Sequence, residues 1–318
     1  MCRTKTDKVK LNTTITNKII VIDKVIDENI NIDTTGFKRD MPELPEVETV
    51  RRGLTNLVAG RTVESTEVRW EKIVGGLTAE EFDQALRNQT ILKIDRRGKY
   101  LLFRFTGDIT MVSHLRMEGS YYTVPAGTEP GKHDLVTFHL DHGVDLFYRD
   151  TRKFGRMNVV PNDQVMTVAG LATIGPEPTE SDLTIDYMIS EFGKSKMHVK
   201  PFLLNQNHIA GLGNIYVDET LWQSKIHPLT SANQLTVEEL TILRKNIIAE
   251  LARATEHHGT TVHSFTNVFG NAGEFQNELQ VYGRVGKPCL RCGTPLIKTK
   301  VAQRGTTYCP VCQVERTK

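Results

Sequence analysis

MPELPEVETVRRGLTNLVAG, residues 41–60, is where the chain first shows a period. Leu44, Val47, Val50, Leu54, Leu57 and Val58 recur at spacings of three and four, which stripes one face of a helix with apolar side chains. Pro45 suits the first turn, where a missing N–H costs nothing, and Gly60 suits the C-terminal end. Upstream, residues 1–40 are rich in Lys, Thr, Asn and Ile. They hold one apolar patch, Ile19–Val25, and no clear period, and they read as a poorly ordered appendage. Downstream, from Thr62 to Val160, short alternating runs follow one another: 63–70, 90–94, 100–105, 110–113, 120–124, 135–140, 144–148 and 156–160. Gly, Asp and Pro punctuate them, so this stretch predicts a β-sandwich or barrel. One short helix interrupts it, capped by Thr78 with Glu81 three residues on.

Ile174-Gly175-Pro176-Glu177-Pro178 is a rigid linker and marks a domain boundary. Helices are expected after it over 181–192, 200–206, 214–224 and 237–257. The last is capped by Thr236 with Glu239 and ended by Gly259. The fold class is therefore α+β: an N-terminal β-sandwich led by a helix, then a helical domain, then a small cysteine-bearing tail.

That tail carries Cys289-Leu-Arg-Cys292 and Cys309-Pro-Val-Cys312, with 16 residues between the pairs. Each C-x2-C turn aims two thiolates at one ion, and two turns complete a closed tetrahedral site, so the spacing predicts one structural zinc. Residues 294–308 alternate around Arg304-Gly305 and read as a β-hairpin, which makes the module a zinc ribbon. Disulfides are the alternative, and the absence of a secretory signal weighs against them. Cys2 stands alone.

With 39% hydrophobic and 25% charged residues in 318, the composition is that of a globular protein large enough for two cores. No apolar run reaches the roughly 18–20 residues of a membrane helix. The net charge of +2 is uneven: residues 284–318 are +7 and residues 41–283 are −7. A basic module on an acidic body points to a polyanion such as nucleic acid.

Pro42-Glu43-Leu44-Pro45-Glu46 resembles the amino terminus of the bacterial formamidopyrimidine-DNA glycosylases, enzymes that excise oxidised purines. Further blocks follow in the family's order: Arg97-Gly98-Lys99-Tyr100, His114 to Gly119, Lys132-His133-Asp134, Asp150 to Gly155, Gly211 to Tyr216 and the four cysteines. The resemblance covers residues 41–318. It implies a catalytic β-sandwich domain over 41–174, a helix–two-turn–helix DNA-binding domain over 175–283 and a zinc-ribbon finger over 284–318, with 1–40 as an extension.

It also implies the chemistry. The amine of Pro42 would attack the sugar C1′ and leave a permanently cationic iminium, an electron sink for β,δ-elimination. An α-amine has a reference pKa of about 8 against about 10.4 for lysine, so more of it is neutral at pH 7. Glu43 maps to the proton donor in base loss, Glu46 to a second active-site carboxylate and Lys99 to a proton donor in elimination. Met117, Arg152 and Phe154 map to the side chains that fill the hole left by the flipped nucleotide. His133 and Lys196 map to phosphate contacts, His114 to a backbone contact or a strand cap, and Lys200 to a residue near the flipped nucleotide. Asn214 opens a helix after Gly211 and Gly213, a place where free N–H groups meet phosphate. Arg304 maps to a finger arginine that binds phosphate and assists δ-elimination. The implied partner is damaged double-stranded DNA in the bacterial cytoplasm, met by a monomer with no membrane and no obligate protein partner.

Two departures matter. Pro42 lies inside the chain, where its nitrogen is an amide, so translation from Met41 or removal of the extension is expected. His263 and Phe265 stand where the family usually has Arg and Tyr, in the loop that holds the damaged base, which leaves base preference open. The alternatives are an endonuclease VIII-like glycosylase for oxidised pyrimidines, and a non-catalytic zinc-ribbon DNA-binding protein if residues 1–40 stay attached.

Overall fold

The computed structural model describes residues 41–260, 268 and 273–316. The expectations for residues 1–40 and for His263 and Phe265 lie outside the described residues.

The expected first helix, α1, spans Leu44–Val58, and Gly60 follows it at φ +83°. Its stripe of Val47, Val50, Leu54 and Val58 is fully buried, as the period required. The alternating runs form eight antiparallel strands in two four-stranded sheets. One sheet has β1 (Val63–Val68), β6 (Asp134–Leu140), β7 (Val144–Arg149) and β5 (Ser120–Pro125) side by side. The other has β2 (Ile91–Arg97), β3 (Tyr100–Phe105), β4 (Ile109–His114) and β8 (Arg156–Pro161). Phe103, Phe105, Tyr121, Phe138, Tyr148 and Met157 fill the core beneath α1 and α2 (Ala79–Leu86). Thr78 and Glu81 close the expected capping box on α2.

Beyond the linker lie α3 (Ile185–Gly193), α4 (Val199–Leu204), α5 (Asn214–Gln223) and α6 (Val237–Glu256). They bury a second core that includes Phe192, Phe202, Tyr216, Leu243 and Ile247. The linker is clamped by charge. Glu177 accepts from Arg96 and Arg97 at 2.8 Å each and from the Gly98 N–H at 2.6 Å, and the two arginines hold its carboxyl below its usual range. Helix α1 packs against both β2 and α6, so one helix serves both halves.

The ribbon is β9 (Ile297–Val301) paired with β10 (Arg304–Tyr308). Its turn differs from the reading at Arg304-Gly305. Ala302 and Gln303 form it, at φ +46° and +63°, and Arg304 is the first residue of the returning strand, opposite Val301. Two consecutive positive φ values suit a hairpin whose twist matches its strands, and here residues other than Gly adopt them. Gly305 instead leaves room for Lys298, whose Cε would lie 3.2 Å from an added Cβ.

Candidate active site and nucleic-acid interface

The start of α1 is held against the turn that opens α5. Leu44 donates its N–H to the Gly211 carbonyl at 3.0 Å. The Glu43 carboxylate accepts the N–H of Gly213 at 2.6 Å and of Ile215 at 2.8 Å, which ties it to the positive end of α5. A Cβ on Gly213 would lie 2.3 Å from that carboxyl carbon, so the close approach demands glycine. Lys99, at the β2–β3 turn, donates to the Leu212 carbonyl at 2.8 Å. Glu46 accepts from the Glu43 N–H at 2.8 Å, the Tyr216 hydroxyl at 2.6 Å and the Thr260 N–H at 2.7 Å. Burial nevertheless raises its pKa, outweighing those bonds. Glu43, Leu44 and Lys99 thus meet the turn that opens α5, Glu46 joins them through the Glu43 N–H, and Glu43, Glu46 and Lys99 are all buried.

Two loops carry the expected wedge residues. Met117 sits between Leu115 and Gly119, after β4. His114 shapes this loop. Its Nδ1 accepts the Arg116 N–H at 2.9 Å, and its ring packs edge-on to Tyr100. Burial, with the charges of Arg116 and Lys99, pushes its pKa down to about 3, so it is a neutral strand-end cap rather than a cation. Arg152 and Phe154 lie after β7 in a loop folded around the buried Asp150. That carboxylate accepts the N–H groups of Arg152, Phe154 and Gly155 at 3.0, 2.9 and 2.7 Å. Phe154 is 48% exposed, with the Arg152 guanidinium over its ring, so it has no place in the core. Lys153 folds back over Trp70, 4.0 Å from the ring centre.

Among the other expected DNA contacts, Lys196 is exposed. The His133 Nδ1 and the Asn214 Oδ1 are each shielded from water and lack a hydrogen-bond partner among the described residues. Lys200, expected near the flipped nucleotide, is placed inside the protein. It is fully buried, donating to Asp218 at 2.6 Å and to the Gly305 carbonyl at 3.0 Å. Asp218 in turn accepts the Thr307 N–H at 2.9 Å. Lys200 therefore ties the strand that begins at Arg304 to α5, while Arg304 itself is exposed.

The four paired cysteines cluster with all Sγ atoms within 4.8 Å of one another. Cys289 and Cys312 are 3.9 Å apart and Cys292 and Cys309 3.5 Å. Tetrahedral zinc with bonds of about 2.3 Å needs sulfurs about 3.8 Å apart, so the set fits one structural zinc. Trp222 of α5 donates its indole N–H to Cys289 at 3.3 Å, and Arg291 lies over the indole. This ties the centre to the helical domain.

Several positioning residues left no local signal. Tyr216, Asp218 and Thr260 act through partners far along the chain, while Asp150 acts within its own loop. Glu219, also on α5, accepts the N–H groups of Gln280, Val281 and Tyr282, and burial pushes its carboxyl up to about 8. An acidic Asp-Glu pair inside an otherwise apolar helix was the available hint.

Three family models match the chain: the formamidopyrimidine-DNA glycosylase N-terminal domain over residues 41–157, the H2TH domain of the same enzymes over 174–266, and a zinc finger found in FPG and IleRS over 286–314. A formamidopyrimidine-DNA glycosylase of Lactiplantibacillus plantarum is 62% identical over 271 residues, which is 85% of this chain and 98% of that one. One from Pediococcus pentosaceus is 58% identical over 87% of this chain and all of its own length. The Lactococcus lactis Fpg solved with DNA containing an abasic site is 42% identical, superposes with a TM-score of 0.81, and is matched over 86% of this chain and 100% of that one. A mutant of it bound to Fapy-dG DNA gives 0.82. With its sandwich, its two-turn helical domain and its four-cysteine ribbon all matched, the chain belongs to the formamidopyrimidine-DNA glycosylase family.

Proposed function

We propose that the acting form of this protein excises oxidised purines, 8-oxoguanine and formamidopyrimidines, from duplex DNA and then cleaves the abasic strand, with the amine of Pro42 as nucleophile. The observation that carries this is the seating of Glu43, the residue after Pro42, and of Lys99 on the turn that opens α5, with Glu46 bonded to the Glu43 N–H. An amine at Pro42 would stand beside two buried carboxylates and a buried ammonium, at the mouth of a helix that attracts phosphate.

In this reading Pro42 attacks C1′ and expels the base as Glu43 protonates it. The iminium then acidifies C2′, and Lys99 and Arg304 serve the two eliminations. Glu46, whose pKa burial raises, accepts from the Glu43 N–H and the Tyr216 hydroxyl and so orients both. Met117, Arg152 and Phe154 fill the vacated stack, and His133, Lys196 and Asn214 grip phosphates. The basic ribbon, +7 over residues 284–318, draws the polyanion in. The place of action would be the bacterial cytoplasm; among the described residues no helix is long and apolar enough to cross a membrane.

A proline nitrogen acylated by Met41 has no nucleophilic lone pair. The chemistry therefore needs Pro42 as the first residue. A chain starting at Pro42 is expected to form a borohydride-trappable adduct with 8-oxoguanine DNA, and the intact 318-residue chain is expected to bind abasic DNA without trapping. Equal trapping by both forms would remove Pro42 from the role. Trapping by neither would leave a DNA-binding protein without the enzyme.

A further inference from the structure

The two wedge loops share one post. The hydroxyl of Tyr148, at the end of β7, lies between Gly119 of the first loop and Gly155 of the second. A Cβ on Gly119 would stand 2.2 Å from it, and one on Gly155 would stand 1.9 Å from it. Both loops therefore rest against the same oxygen, and only glycine at each position lets them. The loops also touch at the surface, where the Thr151 hydroxyl donates to Glu118. The Tyr148 side chain is wholly buried, yet its hydroxyl has no hydrogen-bond partner among the described residues. Its ring is fixed edge-on to Tyr121, 4.9 Å between centres, so the oxygen cannot turn elsewhere. Burial and the nearby Asp150 charge raise its pKa, so the group stays a neutral donor. A buried donor left unpaired is costly, and a small shift of either loop would bring an acceptor within reach: the Leu115 carbonyl beside Gly119, or the Asp150 carboxylate beside Gly155.

We propose that Tyr148 is the positioning residue that joins the Met117 loop and the Arg152–Phe154 loop into one wedge, its hydroxyl gaining a partner only when the loops seat in duplex DNA. This rests on the repair reading above. Free protein would then hold the loops slightly apart from their engaged spacing, and insertion would be favoured by the bond that Tyr148 forms.

Tyr148→Phe removes the oxygen and keeps the ring. The test uses the full 318-residue chain and a duplex with a reduced abasic site flanked by 2-aminopurine, whose fluorescence rises when a wedge unstacks it. Tyr148→Phe is expected to melt at the same temperature as wild type or higher, because the free state loses an unpaired polar group. It is expected to bind the duplex about three- to tenfold more weakly, the loss of one hydrogen bond, with a smaller fluorescence rise. Unchanged affinity and amplitude would overturn the assignment. So would a fall in melting temperature that accounts for the weaker binding, since that marks an ordinary core tyrosine. If wild type itself binds without any fluorescence rise, the repair reading fails and the wedge with it.

Discussion

Lys200→Met tests whether the buried lysine is a tether or a DNA contact. The ammonium and the Asp218 carboxylate are both essentially inaccessible, 0% and 1% exposed, and 2.6 Å apart. Removing the cation leaves a buried carboxylate with the Thr307 N–H, and such one-sided losses cost about 3–5 kcal/mol. The Gly305 carbonyl loses its donor as well. At about 2–4 °C per kcal/mol for a chain of this size, the melting temperature should fall by about 6–20 °C. The unfolding is followed by tryptophan fluorescence, since Trp222 on α5 lies against the zinc centre that Lys200 helps to seat. Adding Asp218→Asn to Lys200→Met removes the stranded charge while keeping an acceptor for Thr307, and should restore much of the loss. If Lys200→Met melts like wild type yet binds abasic DNA tenfold more weakly, the lysine reaches DNA and the tether argument is wrong.

Three other outcomes are expected. Cys289→Ser should lose zinc by metal analysis and lose DNA binding, while the β-sandwich still folds, because no ribbon residue belongs to its core. Arg304→Ala should weaken binding to abasic DNA and flatten the log–log salt dependence by about 0.9, the release of one counterion; an unchanged slope would make it only a turn residue. His114 has a folded pKa depressed to about 3, so its contribution is full above pH 6.5 and is lost as pH falls from 6.5 toward 3. Urea titrations should show stability dropping over that window by about 1.4 kcal/mol per pH unit more than in His114→Asn, which keeps an acceptor near Nδ1.

Much of this architecture was legible because local physics writes it locally. The stripe of α1, the alternation of eight strands, the boxes at Thr78 and Thr236 and the cysteine spacing each depend on residues a few positions apart. The exposure of Phe154 was also readable, from an aromatic placed in a glycine-ended loop. What stayed hidden depends on distance along the chain. Lys200 is given by the resemblance only as a residue near the flipped nucleotide, and its ties to Asp218 and Gly305, 18 and 105 residues away, leave no trace in the sequence around it. Tyr148 reads as one more inward strand residue, because its burial fits the alternation and its orphaned hydroxyl does not show. The ribbon turn misled for a local reason: Arg304-Gly305 offers the usual glycine signal, while the chain reverses at Ala302-Gln303 without one.

The anchoring of Glu43 has a consequence for how the protein comes into being. Its carboxylate is satisfied by amides 170 and 172 residues downstream, and Glu46 by a hydroxyl and an amide 170 and 214 residues downstream. A ribosome delivers the α1 end of the site first and its partners last. Any fragment that stops short of α5 keeps the local Glu43–Glu46 bond at the start of α1 but lacks the α5 amides and the Tyr216 and Thr260 partners. If the α1 end is the reactive end, as proposed above, its carboxylates reach their full set of partners only when the second half docks. For an enzyme that breaks a DNA backbone, as proposed above, late assembly of this kind would limit what half-made copies can do.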